Sequence, residues 1–145
     1  MNNQREAGDP VDALINVIDK GIKTLSGNIA GSRPNPAKGV QNGEMSAGER
    51  AHAAGLMRVN HVGEICAQAL YEGQALTAKD DTIKSKLLEA AQEERDHLIW
   101  CGERIKDLNS HRSVLSPFFY VSSFCVGAAT GMLGDKHSLG FVEAT

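Results

Sequence analysis

Residues 87–108 read LLEAAQEERDHLIWCGERIKDL, and the periodicity of this stretch decides the fold. Wound as a helix, it places Leu87, Ala91, Glu94, Leu98, Cys101, Ile105 and Leu108 on one stripe. Every member but Glu94 is apolar or small. A carboxylate in the middle of a buried stripe is costly unless it is protonated, paired or bound to a metal. His97 follows one turn later on the same side. Glu-x-x-His is the spacing by which one helix of a carboxylate-bridged di-metal bundle offers two ligands to the bundle centre. The same four residues also suit a surface Glu followed by a half-buried His that satisfies itself. The stripe position of Glu94 leaves these two readings evenly matched.

Composition bounds the rest. A chain of 145 residues is one domain at most, with enough length for a core. A formal charge of -3 leaves no basic footprint for nucleic acid. Cys66, Cys101 and Cys125 form neither a C-x-x-C pair nor a disulfide framework and read as reduced, buried, small apolar residues. Met1 to Asp12 lacks the basic and apolar regions of a secretory signal, and its first residues read as disordered.

Around the central stretch the chain divides at about residue 45. Residues 1–45 read as a variable segment with one short helix and a loop. Val11, Leu14, Ile15, Val17, Ile18, Ile22 and Leu25 recur at helical spacing behind Asp9-Pro10. That helix could lie on a membrane or dock on the domain body, and its weak basic character favours docking. Gly27 to Gly43, with Pro34 and Pro36, reads as a loop or tether.

Residues 46–145 form the second unit. Ser46 and Glu49 make a capping box that opens a helix from Ala47 to about Thr77. Leu56, Val59, Val62, Gly63, Cys66, Ala69, Leu70 and Gly73 make its apolar face, and Glu64 borders that face. Alone, Glu64 reads as a surface residue; beside Glu94 and His97 it becomes a third ligand candidate. Asp80, Asp81 and Thr82 punctuate the chain, so the next helix, from Thr82 to Asn109, folds back antiparallel. Glu64 and Glu94 lie at nearly equal distances from this turn. At 1.5 Å per residue they therefore reach about the same height.

From Ser113 to Gly134 no residue is charged. Pro117 is placed to open a helix that is apolar nearly all round. The run approaches the length of a membrane span. Its serines and glycines favour a buried bundle helix, with one face left for lipid. Gly127-x-x-x-Gly131 would let a neighbouring helix approach closely. A last helix is expected from about His137.

Three stretches carry a family resemblance. Leu56-Met57-Arg58-Val59-Asn60-His61-Val62-Gly63-Glu64, with Cys66-Ala67-Gln68 and Tyr71-Glu72-Gly73-Gln74, resembles the first ligand helix of the demethoxyubiquinol hydroxylase (Coq7) family. Glu93-Glu94-Arg95-Asp96-His97-Leu98 resembles its second, and Pro117 to Gly134, with Gly127-Ala128-Ala129-Thr130 and Leu133-Gly134, its third. The likeness implies an all-α, ferritin-like antiparallel helical bundle, incomplete in this chain. Glu64, Glu94 and His97 match the family's first three iron ligands. The next, a Glu, is expected just after Thr145; Glu143 does not match it, and the closing Glu-x-x-His is expected well beyond. On this likeness the chain looks truncated, and alone it is expected to bind iron poorly and to lack activity.

The activity implied is a di-iron monooxygenase, a 3-demethoxyubiquinol 3-hydroxylase of ubiquinone biosynthesis, with two Fe ions and O2 as co-substrate. Carboxylates and imidazole suit iron. Electrons would come from the quinol or from reduced nicotinamide, although no Rossmann fingerprint is present. A polyprenyl quinol partitions into lipid. Peripheral attachment to the cytoplasmic face of the bacterial cell membrane is therefore expected, along with homo-oligomers or contacts to other ubiquinone-biosynthesis proteins. Tyr71 either borders the substrate pocket or packs as an interface tyrosine. His52, His61, His111 and His137 are expected to be solvated or satisfied by neighbours. Two other classes stay open. One is a ferritin- or rubrerythrin-like iron protein. The other is a non-enzymatic membrane-associated helical module in which Glu64 and Glu94 pair with Arg58 or Arg95.

Overall fold

The structure, a computed structural model, describes residues 10–41 and 43–134. The described residues form four helices and no strand: α1 (Pro10–Ser26), α2 (Ala47–Thr77), α3 (Asp81–Asp107) and α4 (Ser116–Met132). The all-α, ferritin-like reading holds for them. The early residues read as disordered, the helix expected from His137, and Glu143 lie outside the described residues.

The helix ends follow local chemistry. Ser46 Oγ accepts from the Glu49 amide at 3.3 Å, and Glu49 Oε2 accepts from the Ser46 amide at 2.9 Å. This reciprocal box opens the 31-residue α2. Asp80 Oδ1 accepts from the amides of Thr82 and Ile83 at 2.7 and 3.2 Å and opens α3. With only Ala78 to Asp80 between them, α2 and α3 must run antiparallel. Asn109, at φ 56°, ends the last turn of α3 in the left-handed region. After this second reversal α4 lies beside α2 in the same direction, with Gly127 opposite Leu70 and Gly131 opposite Gln74. A Cβ at Gly127 would run into the Leu70 carbonyl oxygen, and one at Gly73 into that of Phe124. Glycine at both positions is what brings α2 and α4 into contact. The central cluster is Ile65, Ala69, Leu98 and Tyr120, joined by Leu25, Ile29 and Phe124.

Several expectations about faces are corrected. Leu56 and Val59 are 54% and 69% exposed. The buried side of α2 instead carries His61, Ile65, Gln68, Ala69, Glu72, Gly73 and Gln74. α2 is clasped between α3 and α4, where Glu72 accepts from Arg95 and Tyr120. His61 is therefore buried rather than solvated, and its Nδ1 meets no hydrogen-bond partner. Burial and then the Arg112 charge push its pKa down to about 4, so the ring is neutral at ordinary pH. In α1, Ile15, Ile18 and Ile22 face outward, while Gly21 sits under the Tyr120 ring and Thr24 Oγ1 accepts from Gln68 Nε2 at 2.9 Å. Its described contacts run through Gly21, Thr24 and Leu25. Cys66 and Cys101 are half-buried and Cys125 is exposed; all three are free. No described helix is long and apolar enough to cross a membrane.

The segment after Ser26 is not a free tether. It crosses α3 as a strap. Ser32 and Arg33 bond to Asp96, and Asn35 Nδ2 donates to Glu103 Oε2 at 2.6 Å.

Candidate metal centre

The reversal at Ala78–Asp80 brings the middles of α2 and α3 together, and with them Glu64, Glu94 and His97. One donor atom from each lies within 4.8 Å of the others. His97 Nδ1 stands 3.2 Å from Glu94 Oε2 and 3.9 Å from Glu64 Oε2. The three side chains are half-buried, His97 most exposed at 41%. The equal-height argument from sequence therefore describes the observed geometry, and the spacing of the carboxylates suits a shared ion.

The electrostatics of this cluster are those of a cation site. Burial, then a hydrogen bond and charge from Glu94, push the Glu64 carboxyl up to about 8. At neutral pH the Glu64 carboxyl therefore keeps its proton. A divalent cation would supply in one ion the charge that this proton supplies. Two carboxylates and an imidazole are also a donor set that iron accepts. The residues present thus fit a metal of this class. The nearby Cys101 thiol is pushed up by burial and by the Glu64 charge, which keeps it protonated.

The arginines that could have turned the cluster into plain ion pairs are engaged elsewhere. Arg58 Nη1 donates to Ser110 Oγ at 3.2 Å, and Arg95 Nη2 donates to Glu72 Oε1 at 3.3 Å. Tyr71 is half-buried and lies with Cys66, Ala67, Leu70 and Val126 in the wall of a cavity of about 400 Å³ between α2 and α4. Ser122 and Ser123 supply part of its polar lining.

Two sets of buried polar residues escaped the sequence reading. One is a network across all four helices. Glu72 accepts from Tyr120 Oη at 2.9 Å, from Arg95, and from Gln68 Nε2 at 3.3 Å, while Gln68 also donates to Thr24. Burial, together with the Glu72 charge, pushes the Tyr120 phenol well above its usual range. The spacing Glu64, Gln68, Glu72 puts this network on the same row of α2 as the cluster, a signal already present in the chain. The other is Asp96, fully buried beside His97. Burial would raise its carboxyl, but the Ser32 and Arg33 bonds outweigh it and bring it down to about 2. Nothing in the local pattern marks Asp96 as buried, because its partners lie more than sixty residues earlier.

Comparison with known proteins agrees with this geometry. The family model for "Ubiquinone biosynthesis protein COQ7" matches residues 51–145. The 3-demethoxyubiquinol 3-hydroxylase of Ralstonia pickettii is 49% identical over 93% of this chain and 67% of its own length. Those of Chromohalobacter salexigens and Pseudomonas fluorescens are 55% and 51% identical, covering 92% and 100% of this chain and 63% and 67% of their own lengths. The chain thus spans about two thirds of the length of these curated relatives. No solved structure matches it. Matched over most of its length and close to half identical to these relatives, the chain belongs to the ubiquinone biosynthesis COQ7 family.

Proposed function

We propose that this chain carries part of a di-iron monooxygenase that hydroxylates a polyprenylated 3-demethoxyubiquinol with O2, and that Glu64, Glu94 and His97 are metal ligands. The observation that carries the proposal is the convergence of these three donors within 4.8 Å; burial and the neighbouring Glu94, which push the Glu64 carboxyl up to about 8, support it. The relatives named 3-demethoxyubiquinol 3-hydroxylase supply the substrate class. Bound iron would supply the reduction of O2 and the transfer of one oxygen atom to the ring. The chain's own residues bind and orient. Glu64, once deprotonated, would hold the cation together with Glu94 and His97. The cavity beside Tyr71, lined mainly by Cys66, Ala67, Leu70 and Val126, receives an apolar part of the quinol. Reduced nicotinamide is the proposed electron donor alongside the quinol itself.

The substrate's lipid solubility requires contact with a bilayer. Exposed Ile15, Ile18 and Ile22 on α1, Phe118, Val121 and Met132 on α4, and Leu133 just after it supply apolar surface for it. Peripheral binding at the cytoplasmic face of the bacterial cell membrane is the proposed location. Homo-oligomers or other ubiquinone-biosynthesis proteins are proposed partners for apolar surface that remains.

The test is iron per chain by elemental analysis after anaerobic iron loading, with quinol product read by mass spectrometry. Bound iron that is lost in Glu94→Ala, together with hydroxylated quinol from a chain extended to the relatives' length, supports the proposal. Iron retained by Glu94→Ala refutes the ligand set. Bound iron without hydroxylated quinol points to an iron-storage or rubrerythrin-like role. Because three donors make a poor cage for two irons, metal binding by residues 1–145 alone is expected to be weak.

A further inference from the structure

The turn of α3 that carries Glu94 and His97 is gripped from outside the helix pair. Asp96, with no exposed side-chain surface, accepts from the Ser32 amide and the Ser32 hydroxyl, each at 2.6 Å, and from Arg33 Nε at 3.0 Å. The strap lies close to the helix: a Cβ at Gly31 would stand 3.1 Å from Asp96 Oδ1 and 3.2 Å from Ile99 Cδ1. With its Nε committed to Asp96, the Arg33 guanidinium lies over the Trp100 ring, 5.6 Å from the centroid. The Trp100 ring also meets that of His97, with centroids 5.3 Å apart and planes tilted by 51°. A side chain on a half-exposed helix face samples several rotamers unless something blocks them. Coordination by a mobile imidazole must then offset the entropy of ordering it.

We infer that the Gly31–Arg33 segment is a positioning element for His97: Arg33, anchored on Asp96, braces Trp100, and Trp100 confines the imidazole to the orientation that points Nδ1 at Glu64 and Glu94. The metal arm of this inference rests on the reading of His97 as a ligand. The brace itself does not. Arg33's hydrogen bond, ion pair and ring contact go to Asp96 and Trp100, the route by which it would act on the site.

Two measurements on the chain test the brace. In the metal-free protein, the His97 ring resonances are expected to be displaced by the Trp100 ring current, unlike those of exposed His52 and His111. Arg33→Ala is expected to move them toward the exposed values. His97 resonances unchanged in Arg33→Ala overturn the inference. The second measurement is Co2+ affinity and its visible absorption, with thermal midpoints recorded alongside. Arg33→Ala and Trp100→Ala are expected to weaken Co2+ binding about tenfold, as loss of an outer partner of a ligand does, and to alter the bands. Trp100→Phe keeps an aromatic face and should restore most of the affinity. Wild-type affinity and bands in both alanine variants overturn the inference, as does weakening that merely follows a fall in midpoint and is not rescued by phenylalanine. If the chain extended to the relatives' length shows no Co2+ binding while its His97 resonances respond to Arg33→Ala, the brace stands and the ligand reading of His97 fails.

Discussion

Glu64→Gln is expected to do two opposite things: to weaken Co2+ or Fe2+ binding by about a hundredfold or more, and to stabilise the metal-free chain in mild alkali. The first effect follows from removing a ligand, which should cost at least as much as losing an outer partner of one. The second follows from the pKa of about 8. A carboxyl raised from its usual value near 4.5 contributes stability fully below pH 4.5, as the protonated form, and loses it as pH rises through 8. The metal-free wild-type chain should therefore weaken between about pH 5 and pH 9, on the order of a few kcal/mol. The glutamine variant should show little of this decline. Metal must also displace the proton, so wild-type affinity should climb with pH toward 8, with protons released on binding. Urea midpoints across the pH range and titration calorimetry in buffers of different ionisation heat check both effects. Equal pH dependence in wild type and variant would remove the account of a raised Glu64 carboxyl.

Gly127→Val is expected to lower stability by about 3 kcal/mol or more, because the new side chain meets backbone rather than a yielding side chain. For a chain of this size that is a drop in Tm of roughly 10 °C. Since α4 can only move away from Leu70, the cavity beside Tyr71 should widen and Tyr120 should lose its bond to Glu72. Gly55→Ala, where a Cβ meets nothing within 4 Å, is the control and should raise stability slightly through helix propensity. A thermal scan of both variants, with near-ultraviolet circular dichroism for Tyr120, decides the matter. An unchanged Tm in Gly127→Val would mean that α2 and α4 do not pack through this glycine.

The local pattern was sufficient for the elements and for the cluster. Ser46 with Glu49, and the punctuation at Asp80 and Asp81, settled where the long helices begin. Once those were in place, chain geometry alone put Glu64 and Glu94 at one height. An antiparallel pair joined by a short turn has no freedom to choose another register. The misplaced carboxylate on the α3 stripe marked the cluster because burial of a charge demands a reason.

Which side of each helix turns inward was another matter. By itself α2 presents an apolar stripe through Leu56 and Val59 and a polar row through Gln68 and Glu72, and ordinary hydrophobic logic buries the first. The tertiary structure buries the second, because Thr24, Arg95 and Tyr120 arrive from three other helices to satisfy it. Asp96 is the same case in sharper form: its burial is tolerable only with Ser32 and Arg33 beside it, and those lie in a stretch whose glycines and prolines read as a loop. Periodicity and caps act within a few residues and can be read from the chain itself. The cost of burying a polar group is settled by partners distant in sequence, so only the assembled helices decided which polar residues went inside.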